Sequence, residues 1–229
     1  MIKNIKIYGE RNSGTRYLRS LLKKNLKNIN FFQPFYKHKT GWKHGFPVIK
    51  NFNNLNNTLF IFIIRDLDSW LKSMFNNPYH YKKSNDIKNF LTKPLQINEK
   101  RFDHNVNIDP RERNTIIELR YHKIKSYILA FKDVKNAIFI NLSHLQEKYT
   151  EFILFLNKNY KINIVDSISN IDRHTKSNEL NLSKNNIKKK NRNYDTKLPN
   201  DIIEKRRNDK IEEFINNLKE KYYYKCNIK

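Results

Sequence analysis

IKIYGERNSGTRYLRSLL, residues 5–22, sets the architecture of this chain. Apolar and polar side chains alternate from Ile5 to Tyr8, which is typical of a short β-strand, and the alternation stops at Gly9. After Gly14, leucines recur at spacings of three and four residues, which predicts a helix with one apolar face. The segment therefore predicts a strand, a glycine-containing loop and a helix in direct succession.

The same order recurs further along the chain. Leu59–Ile64 is an unbroken apolar run, typical of a strand buried on both faces of a parallel sheet, and Trp70, Leu71 and Met74 follow it at helical spacing. The later pattern predicts a helix over Ile116–Phe131, a buried strand over Ala137–Leu142, an amphipathic helix around Phe152–Leu156 and a closing helix over Ile202–Tyr224. This alternation predicts an α/β fold, a three-layer α/β/α arrangement around a mainly parallel central sheet.

Two stretches lack this periodicity. Asn76–Pro110 contains three prolines, which predicts irregular or lid-like structure, and Ser177–Asn193 is dominated by Lys and Asn, which predicts a mobile basic loop. Neither is a convincing linker, and 229 residues suit one sizeable domain. We therefore expect a single domain over residues 1–229.

The composition bounds the class of protein. Aromatic residues make up 13% of the chain, more than disordered chains carry, so the chain should fold. No apolar run is long enough to cross a bilayer and the first residues lack an apolar signal core, which predicts an intracellular, cytoplasmic protein. Cys226 is the only cysteine, which excludes an intramolecular disulfide and a Cys-rich zinc site. The net charge of +24 permits a polyanionic partner without identifying one, because Lys is abundant along the whole chain.

The loop from Gly9 to Gly14 is a candidate anion site. Glycines let backbone N–H groups turn inward, and the N-terminus of the following helix adds partial positive charge. The two glycines have the spacing of the phosphate-binding loop of nucleotide triphosphatases, but Thr15 and Arg16 stand where that loop continues with Lys and Ser or Thr. A glycine turn without a ligand is the alternative interpretation.

Ser13-Gly14-Thr15 followed by Arg16 and Tyr17 resembles the 5′-phosphosulfate loop, K-S-G-T-T-W, of the PAPS-dependent sulfotransferases. The resemblance implies their P-loop-containing, nucleotide hydrolase-like fold. It also implies that 3′-phosphoadenosine-5′-phosphosulfate, PAPS, is the sulfuryl donor and that no metal is required. In that family an Arg at a later strand end and a Ser eight residues on hold the donor's 3′-phosphate, and Arg65 and Ser73 meet that spacing. Taken singly, Arg65 has the alternative of pairing with a neighbouring aspartate, and Ser73 that of an ordinary helix-surface residue.

The segment WKHGFP, residues 42–47, is similar to the family's K-T-H-L-P segment, whose histidine is the catalytic base. The resemblance assigns that role to His44, with His38 as the backup and a solvent-exposed or capping histidine as the alternative. Imidazole suits proton removal near neutral pH. The spacing between Lys43 and His44 is one residue shorter than in the family pattern.

Departures from the family pattern concentrate in the loop. Asn12 replaces the lysine that assists departure of the bridging oxygen, so Arg11 or Lys43 is expected to supply that charge. Tyr17 occupies the position of the family's loop tryptophan, where it either stacks on adenine or packs in the core. The implied catalytic set is His44, Lys43 and Arg11, and the implied donor-binding set is Arg11, Asn12, Ser13, Gly14, Thr15, Arg16, Tyr17, Arg65 and Ser73.

The expected reaction is transfer of a sulfuryl group from PAPS to a hydroxyl or amine acceptor, for which a glycan is one candidate. Two other functions stay open. A P-loop kinase would use the same loop with Asp66 as a magnesium ligand. A nucleic-acid-binding protein would contact phosphates through Lys188, Lys189, Lys190 and Arg192.

Overall fold

The computed structural model describes residues 1–32, 41–52, 54–78, 81–95, 115–171 and 197–226. Its first elements are the predicted strand and helix, β1 over Asn4–Gly9 and α1 over Thr15–Asn25, joined by the loop 10–14. The leucines of α1 are buried. The strand, loop and helix predicted from residues 5–22 are thus confirmed.

A five-stranded sheet forms the centre of the described part. The other strands are β2 (Asn30–Phe31), β3 (Thr58–Ile64), β4 (Ala137–Asn141) and β5 (Tyr223–Lys225), in the order β2-β1-β3-β4-β5. Only the pairing of β4 with β5 is antiparallel. All seven residues of β3 are buried, because the strand lies inside the sheet and is covered on both faces.

The remaining α-helices of the described residues are α2 (Leu67–Asn76), α3 (Ile87–Thr92), α4 (Ile116–Asp133), α5 (Leu142–Glu147), α6 (Tyr149–Tyr160), α7 (Asn200–Glu204) and α8 (Asp209–Asn217). Alternate residues of β3 point into two separate cores. Phe60, Phe62 and Ile64 pack with α2, α4 and α8, whereas Leu59, Ile61 and Ile63 pack with α1 and α6. Helices therefore cover both faces of the sheet, which confirms the α/β class and is compatible with a three-layer arrangement.

The predicted closing helix over Ile202–Tyr224 is wrong. The segment forms two short helices and then β5, because Asn208 starts a new helix by accepting a hydrogen bond from the N–H of Ile211. Tyr223 and Tyr224 pair with Phe139 and Ile138 at the sheet edge, where aromatic residues favour extended backbone. The predicted strand over Ala137–Leu142 ends one residue early, since Asn141 caps α5.

Some predictions fall partly or wholly outside the described residues. The predicted basic loop over Ser177–Asn193 lies outside them, and so does most of the second half of Asn76–Pro110. Within the described part of that second stretch, α3 forms where irregular structure was predicted. Among the described helices none is both long enough and apolar enough to cross a bilayer. The cytoplasmic location stays a prediction.

Candidate anion-binding site

The predicted site residues lie close to the point where the strand order of the sheet reverses. From β1 the chain passes through α1 to β2 on one side, whereas from β3 it passes to β4 on the other side. A crevice opens between the carboxyl ends of two such strands, and ligands of α/β proteins bind there. The loop 10–14 follows β1 and Arg65 follows β3, so both predicted anion-binding elements lie at this switch point.

The loop turns tightly through two residues in left-handed backbone conformation. Asn12 has φ 61° and Gly14 has φ 90°. The hydroxyl of Ser13 donates to the carbonyl of Glu10 at 2.7 Å, as does its backbone N–H at 3.2 Å. A side chain at Gly14 would lie 2.5 Å from Cδ1 of Leu142, so this position needs glycine for both its conformation and its space.

The loop is anchored from outside by helix α2. The side-chain amide of Asn12 donates to the carbonyls of Ser73, at 3.2 Å, and Asn77, at 3.1 Å, near the end of that helix. The indole N–H of Trp70 donates to the carbonyl of Arg11 at 2.7 Å. Asn12 therefore fixes the loop to α2 in this structure, and its amide does not point toward the first turn of α1.

Positive charge surrounds the first turn of α1. Residues 15–18 contain no acidic side chain, Arg16 is exposed on this turn, and the turn's N–H groups lie at the helix N-terminus. Burial, together with the nearby Arg16 and Arg19 side chains, lowers the pKa of Lys43 to about 8. The sequence has no Asp or Glu between Arg11 and Arg65, a gap that the prediction of the site did not use. This charge is arranged to attract an anion.

Lys6 extends the cationic region below the loop. Its ammonium donates to the carbonyl of Gly41 at 2.7 Å, and burial together with the charge of Arg19 lowers its pKa to about 7. Lys6, Thr15, Arg19 and Lys43 line one cavity between β1, α1 and the end of β2. The charge of Arg19 makes protonation of both Lys6 and Lys43 less favourable.

His44 is fixed against the start of the loop. Its Nδ1 lies 2.8 Å from the carbonyl of Gly9, while the N–H of Gly9 donates to the carbonyl of Lys43 at 2.9 Å. A neutral ring that donates through Nδ1 leaves Nε2 as an acceptor. Burial, and then the charge of Lys43, holds the pKa of His44 well below its ordinary value. The side chain is therefore neutral near pH 7 and has the protonation state of a base.

Arg65 lies beside the loop. Its Nη1 donates to the carbonyl of Asn12 at 3.3 Å, and its Nε donates to the hydroxyl of Ser69 at 3.1 Å. Ser73 is buried on the next turn of α2, where its carbonyl receives the amide of Asn12. The hydroxyl in direct contact with Arg65 thus belongs to Ser69, one helical turn before the predicted Ser73.

Two further predicted residues, Arg11 and Tyr17, each pack against aromatic or core side chains. Arg11 is buried, with its guanidinium 4.4 Å from the ring centre of Trp42 and 5.5 Å from that of Tyr81. Tyr17 packs at the edge of the core between α1 and α6, and its hydroxyl donates to Asn170 at 2.9 Å. Tyr17 was predicted either to stack on adenine or to pack in the core, and its position at the core edge is the one expected of a packed residue.

The prediction missed Glu10, Trp70 and Arg120. Glu10 and Arg120 form a buried ion pair at 2.8 Å, and the guanidinium of Arg120 lies 4.7 Å from the ring centre of Trp70. A signal for Arg120 was present, because it lies three residues after Ile117 and four before Ile124, on the apolar face of its helix. A charged residue on such a face needs a buried partner.

Several residues named in the sequence-based predictions lie outside the described residues, namely His38, Lys188, Lys189, Lys190 and Arg192. Asp66 is described, and its Oδ1 lies 3.2 Å from the amide nitrogen of Asn141 and 3.3 Å from the ammonium of Lys219. In the part of the chain that the structure describes, no group of three or more His, Cys, Asp or Glu is arranged to hold a metal. That no metal is required stays a prediction.

Comparison of the chain with protein-family models, with curated proteins and with solved structures found no match.

Proposed function

We propose that the protein is a PAPS-dependent sulfotransferase with a P-loop sulfotransferase fold. The observation that carries the proposal is the meeting of two cationic elements at the switch point of the sheet. The loop after β1 leads into the uncapped first turn of α1, and Arg65 follows the adjacent strand β3. A helix N-terminus and an arginine both suit phosphate groups, so two such elements on neighbouring strand ends can hold a nucleotide with phosphates on its 3′ and 5′ oxygens.

The N–H groups of the first turn of α1, with Arg16 and Lys43, would hold the 5′-phosphosulfate. These groups combine a helix N-terminus with two cations, and the sequence around them is free of carboxylates from Arg11 to Arg65. Arg65 would hold the 3′-phosphate, and Ser69 is better oriented than Ser73 to support that guanidinium. Asn12 keeps the loop in shape and leaves Lys43 to supply charge at the leaving oxygen.

His44 would act as the base. Its Nε2 accepts the proton of the acceptor hydroxyl or amine, and the acceptor atom attacks sulfur as the bond from sulfur to the bridging oxygen breaks. The products are the sulfated acceptor and adenosine 3′,5′-bisphosphate, and the proton remains on His44 until solvent removes it. The hydrogen bond from Nδ1 to the carbonyl of Gly9 orients the imidazole ring, so Nε2 faces away from β1.

The kinase alternative has one observation in its favour, the position of Asp66 two residues after the end of β3. A magnesium ion bound there would have to displace the ammonium of Lys219 and the amide of Asn141 from the same carboxylate oxygen. A carbohydrate acceptor and an intracellular location are further parts of the proposal. The first depends on the excess of Lys and Arg in Asn76–Pro110 and Ser177–Asn193, which would suit a sugar chain or another anionic acceptor, and the second on the lack of a long apolar run in the sequence.

The proposal is tested by comparing nucleotides as stabilisers of the purified protein. We expect adenosine 3′,5′-bisphosphate to raise the melting temperature more than ATP with magnesium does, because only the bisphosphate engages both cationic elements. Preferential stabilisation by ATP with magnesium would favour the kinase. Binding of arbitrary DNA with a steep salt dependence, and no response to either nucleotide, would favour a nucleic-acid-binding protein.

A further inference from the structure

One buried side chain touches both halves of the proposed donor site. Arg120, in the second turn of α4, donates through Nη1 to Oε2 of Glu10 at 2.8 Å and through Nη2 to the carbonyl of Arg65 at 2.6 Å. Glu10 directly follows Gly9 at the end of β1, and Arg65 directly follows β3. The two ends of one guanidinium therefore join the two strand ends between which the crevice opens.

The surroundings keep this guanidinium in one orientation. Arg120 is 1% exposed and Glu10 is 1% exposed, and the guanidinium lies 4.7 Å from the ring centre of Trp70. Trp70 in turn donates to the carbonyl of Arg11, the residue after Glu10. Helix α4 is fixed at its start by a capping box between Thr115 and Glu118. Arg120 is therefore held by its own helix and by α2.

Arginine suits this task for a geometric reason. Its planar guanidinium presents several N–H groups in a fixed fork, so it can donate to a carboxylate and to a carbonyl at the same time. A lysine at this position carries the charge but offers a single nitrogen, which cannot span both acceptors in the same way. A buried ion pair is not by itself evidence of greater stability, since burial of two charges is costly.

We propose that Arg120 is a positioning residue that sets the separation of the 5′-phosphosulfate loop and Arg65, and so allows one nucleotide to engage both. This inference rests on the proposed function. The preference for a nucleotide that carries a 3′-phosphate would then depend on a residue that does not touch the nucleotide. Glu10 is the second member of this bridge, because it transmits the position of Arg120 to the loop.

The test measures a ratio of affinities, because loss of stability alone does not change a ratio. Isothermal titration calorimetry gives the dissociation constants of adenosine 3′,5′-bisphosphate and of AMP, which lacks the 3′-phosphate. For Arg120→Lys we expect the preference for the bisphosphate to fall by about tenfold or more, the range of a lost charge-assisted hydrogen bond. Combined with Arg65→Ala, Arg120→Lys should reduce the preference no further, since its effect passes through Arg65.

Two more variants keep the test decisive. Glu10→Gln retains an oxygen that accepts from Arg120 and should lower the preference in the same direction by a smaller factor, which settles the matter if Arg120→Lys does not fold. Tyr121→Phe is the matched control, because Tyr121 is the next residue of α4 and also donates to a buried carboxylate, that of Glu212, at 3.0 Å. It should leave the preference unchanged.

The outcomes separate the two proposals. If the wild-type protein prefers the bisphosphate and both bridge variants keep that preference, Arg120 has no positioning role and the proposed function stands. If the wild-type protein shows no preference for the bisphosphate over AMP, the proposed function is wrong and the positioning role falls with it. A change in Tyr121→Phe equal to that in Arg120→Lys would also overturn the inference, because it would show a general response to damage in α4.

Discussion

At the scale of single residues, His44 carries the clearest chemical expectation. His44→Asn keeps an N–H able to donate to the carbonyl of Gly9 but removes the acceptor nitrogen. We expect the release of adenosine 3′,5′-bisphosphate from PAPS, measured with a panel of hydroxyl and amine acceptors, to fall about 10²- to 10⁴-fold, as for loss of a general base. The affinity for the bisphosphate itself should change little.

The pH dependence of turnover gives a second measure of the same residue. Because burial and Lys43 hold the pKa of His44 well below its ordinary value, His44 is neutral in the free protein over the range where most histidines titrate. The acid limb of kcat/KM should therefore lie below that range. An acid limb near pH 6.5, or one that persists in His44→Asn, would assign the base to another group.

Lys43 should link anion binding to protons. Its pKa of about 8 leaves it roughly half protonated at pH 8, and a bound anion raises that pKa. We expect uptake of up to about half a proton by this residue on binding of adenosine 3′,5′-bisphosphate at pH 8. Calorimetry in buffers of different ionisation enthalpy measures it. Lys43→Gln should reduce the uptake and the exposed control Lys50→Gln should not; equal uptake in all three proteins would contradict the assignment.

Residue roles in this site were only partly predictable from the sequence. The glycine loop followed from the local pattern, and Arg65 was selected by the resemblance to the sulfotransferase family; both lie at the switch point. The hydrogen-bond partners of these residues could not be predicted from the sequence, because those contacts depend on how the helices pack. The hydroxyl of Ser69 accepts a hydrogen bond from Arg65, and the amide of Asn12 donates to carbonyls of α2 and of Asn77, and neither contact was predicted. Arg120 comes from a helix more than fifty residues beyond either element.

At the scale of elements, the junction of β1 and α1 depends on Gly14. Gly14→Ala would place Cβ against Leu142 in a backbone with φ 90°, whereas Gly41→Ala, at φ 73°, comes no nearer than 3.4 Å to any other described residue. Both variants incur backbone strain, and the first also adds the clash with Leu142, so we expect Gly14→Ala to lose about 1–3 kcal/mol more stability. Urea denaturation measures the difference.

A substitution of Leu142 separates the steric clash from the backbone strain. In the Gly14→Ala background, Leu142→Ala should cost less than it does in the wild-type protein, because it removes the side chain that clashes. Purely additive losses, together with equal losses for Gly14→Ala and Gly41→Ala, would mean that the close approach of Leu142 is unimportant.

The elements themselves were more predictable than their ends. Long apolar runs and helical spacing gave β3, α2 and α4 within a few residues. The C-terminal segment was predicted as one helix because its apolar residues keep helical spacing, but a capping Asn208 and paired tyrosines outweigh that spacing. Local caps and strand pairing at a sheet edge compete with periodicity, and periodicity alone does not rank them.

At the scale of the whole molecule, the buried cations should make stability depend on pH. The pKa of Lys6 is about 7 and that of Lys43 about 8, both below the value of 10.5 for an ordinary lysine. Between each lowered pKa and 10.5, the unfolded state binds more protons than the folded state, so the free energy of unfolding rises as pH rises. The free-energy cost of burying the two charged ammonium groups is fully present below about pH 7 and disappears above about pH 10.5.

We therefore expect the melting temperature to increase from pH 7 to pH 9, a range below the ordinary tyrosine pKa of about 10. The change should correspond to a few kcal/mol, since one pKa unit is about 1.4 kcal/mol. In Lys6→Met with Lys43→Met the increase should be much smaller, and a bound anion should reduce it in the wild-type protein. A melting temperature that falls steadily over this range would contradict the burial of these two lysines.

The central claim concerns the whole crevice, that one nucleotide with two phosphates joins the loop after β1 to Arg65 after β3. The direct measurement is calorimetric titration of adenosine 3′,5′-bisphosphate into the wild-type protein and into Arg65→Ala. We predict saturable binding at one site in the wild-type protein and an affinity lower by about tenfold or more in Arg65→Ala. No binding to the wild-type protein, or equal affinity in the two proteins, would contradict the claim.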